Sequence, residues 1–85
     1  MPTLSAFFGV LIRMYSDHNP PHFHAEYGEY KASFDFEGNV IEGDLPPRQT
    51  KIVGAWALLH EDELMTNWNL LQSGEETVKI DPLKR

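Results

Sequence analysis

The chain has no cysteine, which excludes disulfides and thiolate metal sites and gives no sign of an oxidising compartment. Basic residues are scarce. Seven Lys and Arg stand against thirteen Asp and Glu, for a net charge of −6 with histidines neutral. That balance argues against direct, non-specific binding to nucleic acid, which relies on cationic side chains neutralising phosphates. Long hydrophobic runs are missing too: the one nearest the N-terminus, Ala6 to Ile12, is interrupted by Gly9 and stopped by Arg13. It is too short to span a membrane and lacks the basic start and small-residue cleavage site of a signal peptide. A soluble, cytoplasmic protein with no membrane partner is therefore expected. Repeats, low-complexity tracts and long linkers are absent, so the 85 residues read as one small domain, 1–85. A 41 % hydrophobic fraction, with Trp56, Trp68 and five phenylalanines, has to supply the core. Homodimerisation or a bound metal would add to so small a core.

What is present divides at Pro46-Pro47. Residues 9–45 are strand-rich and turn-rich, residues 46–74 are helical, and 75–85 form a tail or a short edge strand over Thr77–Ile80. The expected class is α+β: an antiparallel sheet of three to four strands, followed by two C-terminal helices (or one kinked helix) packed on one sheet face. Alternation predicts strands at Val10–Tyr15, His22–Tyr27, Tyr30–Phe36 and Val40–Gly43, with Asn19-Pro20-Pro21 excluding helix between the first two. Gly28-Glu29 reads as a glycine-first II′ hairpin loop. That loop pairs Tyr27 with Tyr30, Glu26 with Lys31, His24 with Ser33 and His22 with Asp35. One face then carries Phe23, Ala25, Tyr27, Ala32, Phe34 and Phe36 as a core face. The other carries His22, His24, Glu26, Lys31, Ser33 and Asp35, joined by Arg13 and Tyr15 if the first strand lies alongside. In the helical part, Ile52, Ala55, Trp56 and Leu59 share one stripe, and Leu64, Met65, Trp68 and Leu71 another. A break near His60-Glu61 would bring both stripes onto the sheet. His60 with Glu63 makes a weak capping arrangement there, and Gly74 is a natural stop.

The chemistry concentrates in Asp17-His18-Asn19-Pro20-Pro21-His22-Phe23-His24, where three of the four histidines fall within seven residues. Imidazole titrates near neutral pH and is the commonest metal ligand. His22 and His24, at i and i+2 on a strand, point to one side, as two ligands of one ion must. His18 can fold back from the proline-stiffened loop as a third ligand, and Asp35 can orient a ring or add a fourth. Such a site with an open position suits a divalent transition metal: zinc, nickel, manganese or iron. A metal-free reading uses a histidine–carboxylate pair for acid–base chemistry, with Arg13 or Lys31 clamping an anion and Tyr15 donating. The same residues also fit plain turn histidines whose ring nitrogens bond loop carbonyls, with His22 and Asp35 an ordinary cross-strand pair. His60, at the inferred break, reads as structural. Glu26–Lys31 reads as a surface ion pair, and the two tryptophans as core anchors.

Several segments resemble the small bacterial domain-of-unknown-function family 4160. They are Met-Pro-Thr at the start, Arg13-Met14-Tyr15, the run Asp17 to Tyr27, Glu42-Gly43-Asp44-Leu45-Pro46, and Trp56, Leu59-His60, Glu63-Leu64 and Asn67-Trp68. The resemblance spans nearly the whole chain, and His-Asn-Pro-Pro-His-Phe-His is its most specific element. It implies a bacterial, cytoplasmic, single-domain protein. It also implies a partner, a small protein encoded by a neighbouring gene in a toxin–antitoxin-like pair. It carries no mechanism, so enzymatic activity is left open. The leading expectation is a histidine-rich polar site on one sheet face that binds a metal, with His18, His22 and His24 as ligands and Asp35, Arg13 and Tyr15 around them. The alternative is a non-catalytic interaction module that presents the Asp17–His24 loop.

Overall fold

The computed structural model describes residues 3–84. Strands β1 (Thr3–Phe7), β2 (Val10–Arg13), β3 (Phe23–Tyr27), β4 (Tyr30–Phe34) and β5 (Val40–Gly43) precede helices α1 (Pro47–Leu59) and α2 (Glu61–Gln72). The fold is α+β. The strands form one antiparallel sheet in sequential order, β1-β2-β3-β4-β5. The two-residue loops after β1 and β3 pair neighbouring strands directly, and only the connection between β2 and β3 is long.

The sheet has five strands where alternation predicted three or four. The additional one, β1, breaks period two: an irregularity between Thr3 and Ser5 leaves Leu4 and Ser5 both buried in succession. Its connection to β2 is the two-residue loop Phe8-Gly9, with both residues at positive φ, 50° and 79°. That is the backbone an I′ hairpin requires. At the next hairpin the expected Gly28-Glu29 loop forms, with Gly28 at φ +58°. The pairs Tyr27–Tyr30, Glu26–Lys31 and His24–Ser33 lie in the expected register.

The expected core face is also present. Phe23, Ala25, Ala32, Phe34 and Phe36 are buried and Tyr27 is partly so, joined by Leu4, Val10, Ile12 and Met14. The phenylalanines stack: Phe23 lies 5.4 Å from Phe34 and 6.4 Å from Phe36, centroid to centroid. Both helices press on this core. The chain breaks at His60 as predicted, but the buried residues are Val53, Trp56 and Ala57 on α1 and Leu64, Asn67 and Trp68 on α2. Leu59 and Met65, expected inside, are exposed. The break re-aims each helix so that the tryptophans, not the whole predicted stripes, point inward. His60 takes no side-chain role as a cap; its ring bonds the Glu63 carboxylate and packs on Trp56.

A close backbone approach and the C-terminal tail lock the helical layer. Gly38, at φ +90°, passes so close to α1 that a Cβ there would lie 2.6 Å from the Gly54 carbonyl oxygen. Beyond the Gly74 stop, the tail returns along β1. The Ile80 N–H donates to the Leu4 carbonyl at 2.9 Å, and the Trp56 Nε1–H to the Asp81 carbonyl at 2.9 Å. Of the two expected forms, tail or short edge strand, the segment takes the first: one backbone bond ties Ile80 to β1, Val78 N–H donates to Asn67 Oδ1 at 2.6 Å, and no ladder forms over Thr77–Ile80.

Candidate functional site: an aspartate and two histidines

The sheet face opposite the helices carries one cross-strand row, Arg13 on β2, His24 on β3, Ser33 on β4 and Glu42 on β5. Period two forces this: once Ile12, Ala25 and Ala32 fill the core, their neighbours must project the other way. At the end of this row the loop between β2 and β3 folds back over the face. Its carboxylate, Asp17, reaches both neighbouring imidazoles through one oxygen. Asp17 Oδ2 lies 3.2 Å from His22 Nε2 and 3.4 Å from His24 Nε2. One ligand atom from each of the three residues falls within 4.8 Å of the others.

The outer ring nitrogens are occupied. His22 Nδ1 lies 2.7 Å from the Pro20 carbonyl, and His24 Nδ1 lies 3.3 Å from Ser33 Oγ. A carbonyl can only accept, so His22 Nδ1 must carry the hydrogen. The neutral ring then turns a bare Nε2 lone pair toward Asp17 Oδ2, which is also an acceptor. Two acceptors 3.2 Å apart require a cation between them, a proton on Nε2 or a metal ion. For His24, Ser33 can accept from Nδ1–H as readily as donate to it, so its Nε2 is free for either role. Metal-bound imidazoles characteristically tie off the second nitrogen in this way. The two legs from Asp17, 3.2 and 3.4 Å, also fit a metal: bonds of about 2.1 Å diverging by 90–109° set ligand atoms roughly 3.0–3.4 Å apart.

Ring packing holds the imidazoles in place. His24 meets Tyr15 edge-on at 4.7 Å, His22 meets His24 at 5.1 Å, and His22 leans on Trp68 of α2 at 5.5 Å. The three residues line a cleft of about 340 Å³ together with the exposed His18, Asn19 and Pro20 and with Ser33, Ile41 and Glu42.

The expected site residues divide accordingly. His22 and His24 converge, but only His24 lies on a strand: β3 begins at Phe23, one residue later than alternation predicted, and His22 is the last residue of the preceding loop. His18 lines the same cleft but is exposed on its rim, outside the convergent trio. Tyr15 faces His24 as a packing ring. Arg13 is taken by Glu26, 3.5 Å from Nε to Oε2, a contact without hydrogen-bond geometry, so the ion pair of Glu26 is with Arg13 and not with Lys31.

Asp35 is elsewhere. Ladder pairing stops at Phe23–Phe34, one step short of His22, and the chain turns at Asp35. Its Oδ1 accepts from the Glu37 and Asn39 N–H groups and its Oδ2 from Asn39 Nδ2. Desolvation pushes its carboxyl upward, but the donors of Asn39, Glu37 and Gly38 together outweigh that and hold it below the ordinary value.

Asp17 was the residue sequence reasoning missed, although it opens the histidine run. Its signal was a carboxylate five and seven residues before two same-face histidines, across a loop short enough to return it. Gln72 was missed as well. Its Nε2–H donates to the Asp17 carbonyl at 2.9 Å, from a helix end 55 residues away.

A family model described as a domain of unknown function (DUF4160) matches residues 9–69, a span that holds Asp17, His22, His24 and Trp68. No curated protein and no solved structure gives a significant match. Among the described residues no helix is long and apolar enough to cross a membrane.

Proposed function

The chain belongs to the DUF4160 family, and we propose that it binds one divalent transition metal through Asp17 Oδ2, His22 Nε2 and His24 Nε2. The observation that carries this is the pairing of two acceptors: His22 Nε2, with its Nδ1–H committed to Pro20, faces the Asp17 carboxylate at 3.2 Å. Two imidazoles and one carboxylate without sulfur suit zinc, iron(II), manganese or nickel. Three protein ligands are fewer than these ions take up, and the adjoining cleft gives an incoming molecule access to what remains. A metal there would act as a Lewis acid on that molecule or lower the pKa of bound water. His18, on the rim, is close enough in sequence to swing in as a further ligand, but it is not needed for the primary set.

The test is elemental analysis of tag-free protein after dialysis against each metal in turn. One equivalent retained by the wild type, and lost in Asp17→Ala and in His22→Ala with His24→Ala, supports the reading. Sub-stoichiometric metal in the wild type sinks it and leaves a plain imidazolium–carboxylate pair.

A further inference from the structure

We propose that Gln72 is a positioning residue for the metal site, and that metal binding and the docking of the last turns of α2 stabilise one another. This rests on the metal reading above. Two of the three ligands, Asp17 and His22, lie outside the sheet, on the loop between β2 and β3; only His24 is fixed by a strand. The helical layer grips that loop at both ligands. Gln72 Nε2–H donates to the Asp17 carbonyl at 2.9 Å, and Trp68, buried, sets its ring 5.5 Å from that of His22. Residues four apart share a helix face, so a single face of α2 reaches Asp17 and His22 together.

A loop that must be ordered before it can bind loses affinity by the cost of ordering, and a contact that pre-sets it returns that affinity. Coupling of this kind is reciprocal: whatever α2 contributes to metal affinity, the metal returns to α2. Asn69, exposed on the same helix and with no side-chain hydrogen bond to the loop among the described residues, serves as the control.

The experiment uses the full tag-free chain and Zn²⁺ alone, with affinity read by competition against a chromophoric chelator. Gln72→Ala and Gln72→Glu, which keeps the length but has no donor, should each weaken Zn²⁺ about 3- to 10-fold, below the 10- to 100-fold typical of groups bonded directly to a ligand side chain. Asn69→Ala should bind as the wild type does. In the reciprocal arm, saturating Zn²⁺ should slow amide hydrogen exchange over residues 68–74. Wild-type affinity in both Gln72 variants overturns the proposal, as does unchanged exchange in α2. So does a loss of affinity matched by an equal loss of metal-free stability, which would make Gln72 merely structural. Failure of the wild type to bind Zn²⁺ is a different result, and it removes the metal reading itself.

Discussion

Asp17 and Asp35 should respond to substitution in opposite ways, because Asp17 faces His22 and His24 whereas Asp35 is bonded within its own turn. Replacing Asp17 by Asn keeps the size of the side chain but removes the charge that faces His22 at 3.2 Å and His24 at 3.4 Å. Loss of a group that merely orients a ligand costs 10- to 100-fold in affinity, so loss of a charged ligand should cost at least about 100-fold, or roughly 2.7 kcal/mol. The metal-free protein should barely notice, since the pair is partly exposed and such ion pairs contribute under about 1 kcal/mol. Asp35→Ala should do the reverse. It removes three hydrogen bonds from an exposed loop, for about 1–2 kcal/mol of stability, and leaves metal affinity alone. Zinc competition titrations and urea denaturation of both variants read the two quantities separately. Retained affinity in Asp17→Asn together with lost affinity in Asp35→Ala would refute the site as drawn.

Further expectations concern stability. Because the Asp35 carboxyl is held below its ordinary value, its contribution is complete above the unfolded value near about pH 4 and disappears as pH falls through the lower folded one. The stability difference between wild type and Asp35→Ala should therefore be flat above about pH 5 and shrink below about pH 4, as urea midpoints at several pH values would show. Trp56→Phe deletes the N–H that holds the Asp81 carbonyl and leaves space in the core, and should cost roughly 2–4 kcal/mol; proteolysis should then reach the tail first. Gly38→Ala forces a Cβ against the Gly54 carbonyl at φ +90°, and should destabilise by more than about 1 kcal/mol in chemical denaturation.

Periodicity carried much of the fold. The hairpin of β3 and β4, its register, the core face and the helix break at His60 were all legible, because each rests on local alternation or on a loop type set by one glycine. β1 was not legible, since its irregularity places Leu4 and Ser5 inside consecutively and so erases the period. Placing His24 on the polar face followed from alternation, whereas His22 precedes the strand and reaches the same place through its loop. Their carboxylate did not follow, because extending the ladder by one more pair pointed to Asp35, whereas the chain leaves the sheet at that step. Loops are governed by particular hydrogen bonds, such as His22 Nδ1–H to the Pro20 carbonyl, and not by a repeat. Gln72 was beyond reach of any local rule: its contact joins residues 55 apart, and only the packing of α2 on the sheet creates it.

A cation held between His22, His24 and Asp17 would be seen first at the two imidazoles. Histidine ring nitrogens of uniformly labelled, tag-free protein can be followed by NMR during a Zn²⁺ titration. Saturation at one equivalent, with the Nε2 signals of His22 and His24 moving together while His60 stays fixed, is the result expected here. Rings of His22 and His24 that do not respond at one equivalent, or a response confined to His18, would contradict it.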